Sequence, residues 1–214
     1  MRYNFLPSFA RRKGRITKLQ EKNLSFLADY SLKHPNTLND NPSFDKIALE
    51  IGFGNGEDFF SFAKEKNNTL FLASEVYKSG IGSLIGKIRE HSLENICIHE
   101  GDIRDLIFEE EGFKFDEVYI ICPDPWPKDR HHKRRLLNKE FFARIQSCLK
   151  PNSLLFISTD WKNYAEHIQD VLRDFEDKFS VETIKQIPGR EFSKFQKKGI
   201  DEGREIYSFK LSLI

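Results

Sequence analysis

The sequence predicts an α/β protein built on a doubly wound, mostly parallel sheet with an antiparallel C-terminal edge. Three observations carry this. From Lys46 onward, short apolar runs alternate with stretches of helical periodicity. Two of those runs, Ile47-Ala48-Leu49 and Val118-Tyr119-Ile120-Ile121-Cys122, are continuous rather than alternating, as strands covered on both faces require. The tail then breaks the alternation. Residues 179–186 and 205–213 read as two strands joined by a long basic loop.

Taken in order, residues 1–15 show no clear periodicity and read as mobile until something binds. Thr17 is a plausible cap for a helix running to Leu32, with Leu24, Leu27 and Tyr30 towards one side. Residues 34–45, with Pro35, Pro42 and several asparagines, read as a linker or surface loop. Strands follow at 46–51, 69–76, 96–101, 115–122 and 153–158, and helices at 57–66, 79–91, 138–149 and 161–176. In the last helix Tyr164, Ile168, Val171, Leu172 and Phe175 recur at helical spacing, so they are core. The division is a basic N-terminal segment and helix, 1–45, followed by one α/β domain, 46–214.

Composition narrows the class. With 39% hydrophobic and 31% charged residues the chain is ordinary globular protein. No apolar run approaches the ~20 residues of a membrane span. The N-terminus, with Arg11, Arg12, Lys13 and Arg15, lacks a secretory signal's apolar core, so a cytoplasmic protein is the simplest reading. Cys97, Cys122 and Cys148 form no Cys-x-x-Cys pair and read as buried free thiols; no metal site is expected. Net charge is only +1, yet basic residues gather at 11–15, 128–135 and 185–204, and acidic ones at 100–117. Such patches either steer a polyanion to one face or are solvated loops pointing different ways.

Two stretches carry chemistry. The first strand ends in Glu50-Ile51-Gly52-Phe53-Gly54-Asn55-Gly56 before a helix, a turn that lets backbone pass close under a ligand. Glu57 stands where a dinucleotide fingerprint wants its third glycine, which weakens a pyrophosphate reading. Glu75 ends the second strand, where an acid can accept both hydroxyls of a ribose, and Asp102 ends the third, placed to reach an adenine. Three carboxylates on successive strand ends fit S-adenosylmethionine, a cationic sulfonium; singly, each is as readily a helix cap. The second stretch is Pro123-Asp124-Pro125-Trp126-Pro127-Lys128-Asp129-Arg130-His131-His132-Lys133-Arg134-Arg135. Three alternating prolines make it a loop of restricted shape. An acid on stiff backbone beside an indole and a basic tract suits a site that grips a polyanion and acts on one base. Trp126 either stacks on that base or packs inward to stiffen the loop.

These residues together resemble the bacterial tRNA (guanine-N7-)-methyltransferase family. The likeness rests on Leu49 to Gly56, Glu75-Val76, the Pro-Asp-Pro-Trp-Pro-Lys tract with Arg130-His131 and Lys133-Arg134-Arg135, and Thr159-Asp160 with Tyr164. Gly14-Arg15, Thr17-Lys18 and Gln20 are similar to that family's N-terminal segment. The resemblance implies a Rossmann-like class I methyltransferase with a seven-stranded sheet, acting on the variable loop of tRNA. It implies cofactor contacts from Glu50, Glu75, Asp102 and Asp124 around Gly52, Gly54 and Gly56, with Asp124 also catalytic. It implies substrate contacts from Lys128 and Asp160, and RNA contacts from Arg130, His131, His132, Lys133, Arg134 and Arg135. A further substrate motif, Thr-x-x-Glu, falls on Ser193 to Gln196; here Ser193 keeps the hydroxyl while Gln196 replaces the carboxylate.

The residues support that chemistry independently. Guanine N7 carries a lone pair and no proton, so it needs no base to become a nucleophile. Charge moves onto the purine as the methyl transfers, and a fixed carboxylate beside the ring stabilises it. Asp124 and Asp160, ending the fourth and fifth strands, are the candidates, with Asp124 nearer the donor. His34, His91, His99 and His167 receive no role. Rival readings are a nicotinamide-dependent oxidoreductase on the same fold, a non-catalytic RNA-binding module, and a methyltransferase of protein or small molecules. Oligomeric state stays open between monomer and homodimer.

Overall fold

The computed structural model describes residues 6–10, 15–32, 38–39, 41–109 and 112–214. The expected contacts at Arg11, Arg12 and Lys13, and His34 and Pro35 of the proline-containing loop, lie outside the described residues. One seven-stranded sheet organises the chain. Its strands are β1 (Lys46–Ile51), β2 (Thr69–Glu75), β3 (Ile96–Glu100), β4 (Phe115–Ile121), β5 (Leu149–Thr159), β6 (Phe179–Ile184) and β7 (Tyr207–Leu213). They lie in the order β3-β2-β1-β4-β5-β7-β6. The first five are parallel, and β7 runs antiparallel to both β5 and β6. The expected antiparallel edge is present.

The helices are α1 (Lys18–Leu24), α2 (Leu27–Tyr30), α3 (Glu57–Glu65), α4 (Lys78–His91), α5 (Ile103–Glu109), α6 (Lys139–Ser147), α7 (Lys162–Leu172) and α8 (Lys194–Asp201). Short 3-10 turns cover Asp129–Arg134 and Arg173–Phe175. Alternation along β1 feeds both faces of the sheet. Ile47, Leu49 and Ile51 join a core with α5, α6 and α7, while Ala48 joins the aromatic core of α3 and α4. Phe59, Phe62, Phe71, Tyr119 and Phe156 form a chain of edge-on and stacked rings on that second face.

Four local expectations change. The helix expected from Thr17 to Leu32 is two helices, because a turn at Ser25-Phe26 interrupts it: the Ser25 hydroxyl donates to the Lys22 carbonyl and the Phe26 N–H to that of Asn23. β5 starts at Leu149 rather than 153, passing through Pro151 and Asn152, the latter at φ +62°, where its register against β4 shifts. α5 was not expected, since seven residues inside an acidic stretch carry little periodic signal. α8 lies inside what reads as a basic loop; six of its eight residues are exposed, and its order comes from its cap.

α1 packs closely on α4. A side chain at Gly82 of α4 would meet the Gln20 carbonyl oxygen at 2.5 Å, so only glycine admits the α1 backbone there. Asn23 Nδ2 donates to the Gly82 carbonyl at 3.0 Å and Gln20 Nε2 to Ser83 Oγ at 2.9 Å. Among the described residues no helix is long and apolar enough to cross a membrane.

Candidate active site

The strand order reverses direction between β1 and β4: the chain winds outward through β2 and β3, then returns to the other side of β1. In a sheet of this kind the crevice at the carboxyl ends of those two strands is where ligands bind. Five expected acids follow or end the five parallel strands, all at this one edge: Glu50, Glu75, Asp102, Asp124 and Asp160. Their proximity is also electrostatic. Glu75 feels the Asp124 carboxylate, and Glu50 feels Glu75.

The glycine turn leaves β1 with Gly52, Gly54 and Gly56 at φ +76°, +59° and +72°, values that L side chains rarely adopt. Glu75 fastens it. One carboxylate oxygen accepts from the Gly54 N–H at 2.7 Å, and the other from Val76 and Tyr77 N–H at 2.7 and 3.0 Å. Burial pushes the Glu75 carboxyl up, and these three N–H groups pull it back.

Glu50, expected as a cofactor contact, already has a partner within the protein. It is 1% exposed, and the guanidinium of Arg190 grips both its oxygens, at 2.7 and 2.8 Å. Arg190 reaches Asp58 as well, at 2.8 Å, and lies over the rings of Phe62 and Tyr119. Burial pushes the Glu50 carboxyl up, and Arg190 opposes it with a paired, bidentate contact. One guanidinium is therefore shared between two carboxyl groups.

Asp102 is likewise engaged. Its carboxylate binds the Arg104 side chain at 3.0 and 2.6 Å and caps α5 through the Arg104 N–H at 3.0 Å. Arg104 also donates to the Leu6 carbonyl at 2.9 Å. Residues 6–10 continue across the crevice: Ser8 accepts from Trp126 Nε1 at 2.9 Å, and the Ala10 N–H donates to Asp124 Oδ2 at 2.7 Å.

Trp126 neither packs fully inward nor stands free. Half-buried at φ +47°, it meets His131 edge-on at 5.6 Å and has the Arg134 guanidinium 5.1 Å from its ring centre. With Pro7, Phe9 and Arg134 it lines an open cavity of about 370 Å³. Slight burial and then the charges of Arg130, Arg134, Lys128 and Lys133 push His131 below the usual imidazole range. Lys128, Arg130 and Lys133 are exposed. His132 faces Asp129 at 3.7 Å.

Arg135 is a correction. It is 2% exposed and cannot offer its charge to RNA. Its Nε donates to the Pro125 carbonyl at 3.0 Å, its Nη2 to Asn163 Oδ1 at 2.6 Å, and its guanidinium lies 4.9 Å over Tyr164. The same tract thus holds exposed cations and one buried brace. A uniform basic string gave no signal separating them.

Ser193 and Gln196 are also placed differently from the expectation. Both are buried and form the capping box of α8. Gln196 Oε1 accepts from the Ser193 N–H at 2.8 Å, and its Nε2 donates to Ser158 Oγ at 2.8 Å. Their polar groups are spent on positioning α8. That helix is laid over the strand ends: Gly199 sits so close to Asp160 that a side chain there would clash at 2.7 Å, and Phe195 lies over Gly54. Asp160 itself accepts from Arg204 Nε at 2.9 Å. Arg190 and Arg204 are the residues sequence reasoning missed. Each lies in the basic 185–204 stretch, and only the fold brings it to an acid 140 or 44 residues away. Cys122, at φ +47° between β4 and Asp124, is a thiol pushed up to about 12 by burial and by the charge of Asp160.

A family model described as "Putative methyltransferase" matches residues 45–209. The chain is 36% identical over 211 residues to the tRNA (guanine-N(7)-)-methyltransferase of Nitrosococcus oceani, covering 96% of this chain and 89% of that one. It is 40% identical over 164 residues to the protein of the same name from Nitrosomonas europaea, covering 74% and 72%. Among solved structures, precorrin-6y C5,15-methyltransferase from Geobacter metallireducens shares the fold, with a TM-score of 0.53 at 17% identity over 95% of this chain and 92% of that one.

Proposed function

The chain belongs to the tRNA (guanine-N(7)-)-methyltransferase family, and we propose that Asp124 and Asp160 hold a guanine of the tRNA variable loop against the methyl donor. The enzyme moves a methyl group from S-adenosylmethionine to N7 of a guanine in tRNA. The observation that carries the residue assignment is the position of Asp124, beside Glu75 and the glycine turn at the point where the strand order reverses.

The residues fit the donor. Gly52 has nothing within 4 Å of where a side chain would project, so there is room above the turn. Glu75, its oxygens already directed by three N–H groups, has lone pairs left for ribose hydroxyls. Asp102 accepts at the adenine end. Two carboxyl groups to one guanidinium, at Glu50, Asp58 and Arg190, favour a cation over a phosphate. When bound, the donor supplies an electrophilic methyl group on a positively charged sulfur.

The chain's own residues then bind, orient and stabilise. N7 attacks with its lone pair, so no side chain removes a proton to start the reaction. Asp124 lies where positive charge grows on the purine, and a fixed anion there lowers the barrier most when water is excluded. Asp160, oriented by Arg204, accepts from the N1–H and 2-amino edge. Lys128, Arg130, His131, His132, Lys133 and Arg134 hold the phosphates on either side of the splayed base. Ser193 and Gln196 serve the substrate indirectly, by fixing α8. In the same reading residues 46–214 are the methyltransferase domain, 1–45 a basic extension, and the protein works with its substrate in the cytoplasm.

The test is methyl transfer from labelled S-adenosylmethionine to unmodified tRNA, followed by nucleoside analysis. 7-Methylguanosine is the expected product. Folded protein that labels only another nucleoside, or none, would overturn the reading.

A further inference from the structure

We propose that Arg135 is a positioning residue that sets the separation between Asp124 and Asp160. The proposal rests on the reading that those two carboxylates face the guanine.

The side chain spans the two loops that carry them. Nε holds the Pro125 carbonyl, one residue beyond Asp124, at 3.0 Å. Nη2 holds Asn163 Oδ1 at 2.6 Å, on the first turn of α7 and three residues beyond Asp160. The guanidinium plane lies over Tyr164, whose hydroxyl accepts from the Leu137 N–H at 3.2 Å, so the brace is fastened again two residues downstream. His167, one turn further along α7, bonds the Leu137 carbonyl at 3.1 Å.

A planar guanidinium committed both to the loop after β4 and to the first turn of α7 fixes a distance. A lysine gathers its three donors at one point on a flexible stem, so it fixes no such separation. The loop after β4 has prolines at 123, 125 and 127, which limit its internal shapes but do not tie it to β5. Between the described ends of β4 and β5, Arg135 supplies that tie at the level of the carboxylates. A catalytic geometry depends steeply on such separations, and about 1 Å of misplacement can cost on the order of a hundredfold in rate. The residue is too buried to count among the phosphate contacts of its own tract.

The experiment compares Arg135→Lys, Asn163→Ala, Asn163→Asp and Asp124→Ala in the full chain. It measures kcat, KM for S-adenosylmethionine, tRNA affinity as a function of salt, and melting temperature. Arg135→Lys should lower kcat about tenfold and Asn163→Ala about threefold, with tRNA affinity, its salt slope and cofactor KM unchanged. Asn163→Asp keeps the acceptor oxygen and should return most of the rate. Asn163 is exposed, so its variants report even where Arg135→Lys does not fold. An unchanged kcat in the folded variants overturns the proposal. So does a loss of tRNA affinity and salt slope with kcat intact, which would make Arg135 an RNA contact. If Asp124→Ala turns over like the parent enzyme, the underlying reading fails as well; if it is inactive while Asn163→Ala is not slowed, the positioning proposal fails alone.

Discussion

Asp124 accepts the Ala10 N–H at 2.7 Å through Oδ2, which is a modest restraint for a group on which turnover is proposed to depend. Asp124→Ala should therefore fold normally and lower kcat far more than tRNA affinity; rate and binding measured on the same preparation separate the two. Glu50 is the opposite case. Replacing it with Ala strips Arg190, 5% exposed, of its bidentate partner and leaves it paired with Asp58 alone, and losing a hydrogen bond between charged groups typically costs about 1.5–3 kcal/mol. A fall in melting temperature should accompany any loss of cofactor affinity in that variant. An unchanged melting temperature would mean that Arg190 relaxes into solvent.

At the scale of elements, the exposed half of the 123–135 loop and the capped helix α8 make separate predictions. Arg134 stacks near Trp126 at the cavity mouth, so Arg134→Gln should flatten the salt dependence of tRNA binding by about one phosphate contact, seen in the slope of log affinity against log salt. An unchanged slope would turn that side chain away from RNA. Ser193→Ala removes the acceptor for the Gln196 N–H and should cost about 1 kcal/mol of stability by denaturant titration. Because α8 seats Gly199 against Asp160, the same change should raise KM for tRNA. The alternating strands and helices from Lys46 were legible because each is written in a local period of apolar residues. α5 and α8 were not, being short helices whose order comes from Asp102 and Ser193 caps and from packing rather than from a stripe of their own.

For the whole molecule, acid stability turns on Glu117 at the opposite end of the sheet. Burial pushes its carboxyl up, but Lys46, Tyr119 and Lys66 hold it down at about 2, against a usual 4.5. The sign follows from which state binds more protons. With the folded value depressed, the unfolded chain takes up the proton first, so the contribution is fully present above pH 4.5 and is lost as pH falls towards 2. It amounts to something on the order of 3 kcal/mol. Glu117→Gln should flatten the acid limb of the stability curve in that window, and a curve as steep as that of the parent protein would place the acid-labile group elsewhere. Glu50 and Glu75, raised by burial, act with the opposite sign.

The order of the strands and of the helices that carry their own apolar period, the acids at the strand ends and the glycine turn were determined by the sequence, because each depends on neighbours within a few positions. A parallel sheet then carries the ends of its strands to one edge whatever the loops do. Which arginines are committed to internal partners was decided only by the tertiary structure. Arg135, Arg190 and Arg204 stand in basic stretches indistinguishable from their neighbours, yet each is committed to a carbonyl or carboxylate brought to it from a distant part of the chain. Electrostatic pairing acts through space, and no period in the chain records it.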